Sequence, residues 1–186
     1  SGDRKAVLIK VDADGNMLWY QRYPVGDCVQ AEFFGVRELA GGDLVAAGSN
    51  WAGEVYDEYH DWYIVRTTST GDIVWEVHDE YERVTEAQSV IVSADSHLVV
   101  GGYKYLPNQS LFRLEKRDLA GNQIWEHYFD KGEIQSVCQS RDGGYAAAGY
   151  YYRVHGITSD DFFMVKYDPE VQLSLTPDIT LVPTEG

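Results

Sequence analysis

The sequence predicts an all-β protein built from a four-stranded antiparallel unit of about fifty residues, repeated in tandem. Three observations carry this expectation. Gly15, Gly71 and Gly121 are each followed four residues later by a tryptophan, Trp19, Trp75 and Trp125, and preceded by five residues by a base, Lys10, Arg66 and Lys116. The glycines lie 56 and 50 residues apart, and Lys116 is again 50 residues from Lys166, which ends the run Phe162-Phe163-Met164-Val165-Lys166 of a further copy. Between these landmarks a second one recurs: Leu44-Val45-Ala46-Ala47-Gly48, Leu98-Val99-Val100-Gly101 and Tyr145-Ala146-Ala147-Ala148-Gly149, each just after a turn rich in Gly, Asp or Ser. No segment keeps a helical period with caps at its ends.

Short apolar runs bounded by Gly, Asp and Asn read as strands joined by hairpins. Two come first, at 6–11 and 17–23. Unit one is predicted at 31–37, 44–49, 62–67 and 73–78, and unit two at 87–93, 98–104, 111–116 and 123–129. Unit three has 134–140, 145–151 and 161–167 and then stops, which leaves an incomplete unit split between the termini. Four antiparallel strands in so short a repeat correspond to the blade of a β-propeller, here about three full blades plus a split or partial fourth. Residues 1–170 are assigned to a propeller or propeller fragment. Residues 171–186, with Pro177 and Pro183, are assigned to an extended C-terminal linker or tail. Closed propellers usually need at least four blades. The expectation is therefore further blades, a partner chain that closes the ring, or pairing of 6–11 or 17–23 with 161–167. Trp19, Trp75, Trp125, Gly15, Gly71 and Gly121 are given structural roles, with the indoles largely buried between neighbouring blades.

The Gly-x-x-x-Trp element, best in Thr70-Gly71-Asp72-Ile73-Val74-Trp75, resembles the tryptophan-docking repeat of quinoprotein-like propellers. That family prefers an alanine six residues and an acid four residues before the glycine. Here those places hold Ile9, Val65 and Glu115, and Val11, Thr67 and Arg117. Asp142-Gly143-Gly144-Tyr145-Ala146-Ala147-Ala148-Gly149 is similar to the propeller repeats of secreted bacterial proteins. The resemblance covers about residues 5 to 168. It implies a secreted or cell-surface setting and an architecture rather than an activity, because one fold hosts many functions. No contacts to a quinone cofactor are recognisable.

Thirty acidic against 15 basic residues give a formal charge of −15, which argues against a nucleic-acid partner and against anionic membranes. No apolar run approaches the roughly 20 residues of a spanning helix, so membrane insertion is not expected. The abrupt start at Ser1-Gly2-Asp3 reads as a trimmed or mature fragment, so the lack of a visible signal peptide carries no information on compartment. Cys28 and Cys138 define neither a disulfide framework nor a zinc site; two free thiols are expected, one long-range disulfide being the alternative.

Successive connections in such a unit alternate between two ends. The tight turns share one end, and the long connections 24–30, 50–61, 79–86, 105–110, 130–133 and 152–160 share the other, where function usually lives. These loops carry Trp51, Tyr56, Tyr59, His60, Tyr105, Tyr151, Tyr152 and His155. Aromatic faces beside carboxylates suit sugar rings or peptide segments; the alternative is that the rings only pack blades together. A polar pattern opens the first strand of each unit: Gln30-Ala31-Glu32, Glu86-Ala87-Gln88 and Glu133-Ile134-Gln135. Glu32, Glu86 and Glu133 are thus candidates for a ring at the mouth of a central channel, against the alternative of hydrogen bonding between blades.

No residue is assigned a catalytic role, and no Gly-x-Ser-x-Gly, phosphate loop or dinucleotide fingerprint is present. Asp12-Ala13-Asp14-Gly15-Asn16 resembles the opening of a calcium loop. It has Tyr23 where the bidentate glutamate belongs, so a hairpin turn is expected and no metal or cofactor is assigned. Asn108-Gln109-Ser110 fits a glycosylation sequon. The leading expectation is a non-enzymatic scaffold that offers its loop face to a glycan or protein. A polysaccharide hydrolase or lyase using the mouth carboxylates, and a purely structural repeat, are the alternatives.

Overall fold

The computed structural model describes residues 4–23, 28–52, 60–79, 84–107, 109–151 and 161–167. Among them the chain is all-β, with antiparallel pairing between successive strands: β1 (Ala6–Val11), β2 (Met17–Tyr23), β3 (Cys28–Glu38), β4 (Leu44–Ala52), β5 (His60–Thr67), β6 (Ile73–His78), β7 (Thr85–Val92), β8 (Leu98–Leu106), β9 (Gln109–Arg117), β10 (Gln123–Gln139), β11 (Tyr145–Tyr151) and β12 (Asp161–Tyr167). They form sheets of two (β1-β2), four (β3 to β6) and six strands (β7 to β12).

Two sequence expectations need correction. Only β3–β6 is a separate four-stranded sheet. The expected connection at 130–133 is instead part of the 17-residue β10. Its first half pairs with β9 up to Lys131↔Leu111, and its second half pairs with β11 from Gly132↔Tyr151. Gly132 makes the crossover, with φ at 151°, where a β-carbon would run into the Phe112 ring and the Tyr150 carbonyl. Second, β1 and β2 pair with one another, and β12 stands at the outer edge of the six-stranded sheet. No ring closure is formed by the described strands.

Six hairpins use one turn. Asp12 N donates to Asn16 O and Gly15 N to Asp12 O, and the same two bonds recur from Leu39, Thr68, Ser93, Asp118 and Ser140. The fourth turn residue is left-handed: Gly15, Gly42, Gly71, Gly121 and Gly143 lie between φ 84° and 93°, and Ser96 is the one non-glycine, at 60°. That conformation is the physical reason for the repeated glycine. The Asp12 carboxylate accepts from the amides of Asp14 and Asn16 and from Asn16 Nδ2; Asp118 does the same with Ala120 and Asn122, and the Thr68 hydroxyl with Thr70 and Asp72. The repeated base has a role too. Arg66 Nη2 lies 2.7 Å from Asp43, Lys116 Nζ 2.6 Å from Asp95, and Lys166 contacts Asp142, so each ties a unit's third strand to the turn between its first and second. Lys10 reaches Glu38 instead, at 3.5 Å. Such solvent-accessible surface pairs add little stability, about 0–1 kcal/mol each; they fix position.

Alternate residues on a strand face opposite neighbours. On β5, Tyr63 and Val65 join Ala6, Leu8, Tyr23, Ala31 and Ala46 in one core. Trp62 and Ile64 join Val45, Ala47, Ala87, Val90, Leu98 and Val100 in the next. A third core sets Ile91, Val99, Phe112 and Leu114 against Ile134, Val137, Tyr145 and Ala147. Each fully buried aliphatic chain contributes about 1.5–3 kcal/mol. The units therefore stack face to face in chain order.

The landmark tryptophans reach from one unit to the next. Trp19 Nε1 donates to Ser69 O (3.1 Å) with its ring against Gly71, and Trp75 Nε1 donates to Leu119 O (3.0 Å) with its ring against Gly121. The turn that Trp125 would reach falls at 168–171, outside the described residues; its ring lies near His127 and Tyr145. All three indoles are of intermediate exposure, with most of their surface covered, and Trp19 and Trp75 each cover a surface turn with one face.

Candidate functional site

The three candidate glutamates occupy one structural position. The first strand of each unit carries a β-bulge, between Phe33 and Gly35, Ala87 and Ser89, and Ile134 and Ser136. Glu32, Glu86 and Glu133 each stand one residue before it, opposite Ser49, Tyr103 and Tyr150. Bulges re-aim side chains and are common beside functional sites. A glycine follows the same logic. A β-carbon at Gly48 or Gly102 would collide with the carbonyl of Glu32 or Glu86, so only glycine allows this approach. The first strands also lie side by side: Gly35 packs on Val90 N, and Val137 N donates to Ser89 Oγ at 3.2 Å.

At this position the carboxylates are held by donors. His60 Nδ1 lies 2.8 Å from Glu86 Oε1, and Gln88 Nε2 donates to Glu86 Oε2 at 2.7 Å. The Tyr103 phenol, also hydrogen-bonded with Glu86, is pushed well above its ordinary pKa, first by burial and then by the charges of Glu86 and Glu133. Tyr150 Oη donates to Glu133 Oε2 at 2.6 Å, within 3.5 Å of Gln135 Nε2. Glu32 is raised by partial burial and by Glu86, with His60 and Arg4 opposing. The His60 ring lies 4.1 Å from that of Trp51, its partner in the β4–β5 register, with the two planes tilted by 58°. Thr85 Oγ1 accepts from Trp62 N and donates to His60 O, which pins this strand end to β7. Glu32, Trp51, His60, Glu86, Tyr103, Glu133 and Tyr150 thus form one chain of contacts and charge interactions across three units.

Of the other predicted residues, Tyr105 stands two positions beyond Tyr103 and is exposed, its amide donating to Val84 O. Tyr151 ends β11 opposite Gly132. Tyr56, Tyr59, Tyr152 and His155, and the sequon residue Asn108, lie outside the described residues. Cys138 is a free, exposed thiol. Among the described residues no group of three or more His, Cys, Asp or Glu could hold a metal ion.

Sequence reasoning missed Tyr103 and Tyr150. Counting from the glycines would have found them, since each directly follows the glycine that pairs with its unit's bulge (Gly102, Gly149). It also missed Asp61. This carboxylate is 1% exposed, and burial and Asp79 push its pKa from 3.8 to about 6, with His78 and His60 opposing. Between about pH 4 and pH 6 the folded protein therefore holds a proton on Asp61 that the unfolded chain releases. That contribution is complete below about pH 4 and lost as pH rises through 6. Asp61→Asn should raise stability at pH 7 by about 2–3 kcal/mol, with the gain vanishing near pH 4. Urea unfolding at the two pH values checks this, and an equal gain at both would contradict it.

No protein-family model and no curated protein matches the chain.

Proposed function

We propose that the chain is part of a β-propeller of a secreted or cell-surface protein and acts as a binding module without catalysis, its loop end taking a glycan or protein segment. The stacked units, the side-by-side first strands and the reach of Trp19 and Trp75 onto the next unit's turn support the propeller part of this reading. One observation carries the binding part: Glu86, which is 9% exposed, has both oxygens occupied by His60 and Gln88. A general acid or base must exchange its proton with substrate. A carboxylate with both oxygens engaged by neighbouring side chains instead holds those neighbours in place and keeps His60 against Trp51.

That the charges of Glu86 and Glu133 both act on Tyr103 favours a second reading, hydrolysis or elimination on a polysaccharide. A glycan array run beside turnover assays separates the two. For a ligand found there, Trp51→Ala should weaken binding by more than about 1 kcal/mol, as loss of an aromatic anchor does. Glu133→Gln should change affinity only modestly. Turnover by the parent chain that Glu133→Gln abolishes would replace binding with catalysis.

A further inference from the structure

Among the described residues, the outward faces of β1-β2 and β12 stay exposed where the equivalent faces of the interior units are covered. Lys10↔Trp19, Arg66↔Trp75 and Lys116↔Trp125 are equivalent pairs, which makes β1 the counterpart of β5 and β9. β12 pairs with β11 as β5 does with β4 and β9 with β8, so it is a third strand as well. β1 and β12 therefore hold the same place in the repeat and cannot merge into one sheet without doubling it. In this register Val7 and Ile9 correspond to Tyr63 and Val65, which are fully buried against the preceding pair. Val7 is 41% and Ile9 61% exposed, beside Leu18 and Tyr20. At the other end, Met164 corresponds to Leu8, Ile64 and Leu114. Those three are buried against the following unit, while Met164 is 83% exposed.

We propose that a second copy of this chain covers these faces, head to tail: the Val7, Ile9 and Tyr20 face of one copy packs on the Met164 face of the next. The contact continues the interface that the chain already forms three times between its own units, with the same strand positions on each side. It is heterologous, so it closes into a ring or propagates with concentration.

Sedimentation of the full chain over a range of concentrations should show species of two or more copies. Ile9→Lys and Met164→Lys should each be monomeric alone. Lysine lowers the net negative charge, so added repulsion does not explain such a loss. Mixed in equal amounts, the two variants retain one intact pair of faces and should form a dimer that goes no further. A monomeric parent chain, association untouched by either substitution, or a mixture that stays monomeric would each overturn the proposal. Both sites are exposed, and circular dichroism confirms the fold; Leu18→Lys replaces Ile9→Lys should that variant not fold.

Discussion

Arg113→Met should destabilise the protein by about 3–5 kcal/mol at neutral pH, the cost of leaving a buried ionic network without its centre. The Arg113 side chain, 3% exposed, lies 3.1 Å from Glu115 and 2.7 Å from Glu126, bonds Asp79 through Nη1, and sits 4.1 Å over the Trp62 ring. Glu115 is completely buried, and burial holds its pKa above the ordinary value even with Arg113 and Arg117 pulling it down. Without Arg113 it rises further. A raised carboxylate contributes stability that is present in acid and lost as pH rises through the folded value. The deficit should therefore be largest at neutral pH and shrink towards the unfolded value of 4.5. Adding Glu115→Gln should recover part of the loss. Denaturant unfolding of the single and double variants checks this, and a cost below about 1 kcal/mol would mean that the network is solvated.

Trp62→Ala should cost a similar 3–5 kcal/mol, and clearly more than Trp75→Ala. Trp62 has no exposed surface and fills the space that Gly102 leaves, its ring 2.8 Å from where a β-carbon would stand. Its loss opens a cavity in the core shared by β5 and β7 and removes the ring beneath Arg113. Trp75 is half-buried on a surface turn, so roughly 2 kcal/mol is expected for its removal. Thermal or urea midpoints give the ranking, and Trp75→Ala as the more damaging change would reverse the assignment of the structural centre.

The difference between these tryptophans shows how far the sequence could be read. Trp19, Trp75 and Trp125 announce themselves by spacing, because a left-handed glycine and a docked indole are local requirements that every unit repeats. Trp62 has no counterpart of its type: the same register position holds Ala6 and Phe112. Its importance comes from what faces it across units. Arg113 and Glu115 were hidden for the same reason, since a charged residue on a strand reads as solvent-facing until the neighbouring sheet is placed. The strands other than β10 were legible from turns and alternation. The continuity of β10 was not, because Asp130-Lys131-Gly132 has the composition of a loop and only the Gly132 backbone carries the strand through. At the site, the glutamates were legible as a repeat, whereas their tyrosine partners could be reached only by counting from Gly102 and Gly149, because a bulge shifts the register by one residue.

That continuous strand also governs how the protein comes apart. A stack of repeats joined by loops can lose units one at a time, each opening at its own free energy. Here one strand is hydrogen-bonded along its first half to β9 and along its second to β11. Peeling either sheet away exposes the backbone of the other, so the second and third units form a single cooperative block. Amides on both halves of β10 should exchange with solvent only through a common opening, leaving β1 and β2 as the part of the chain that frays first.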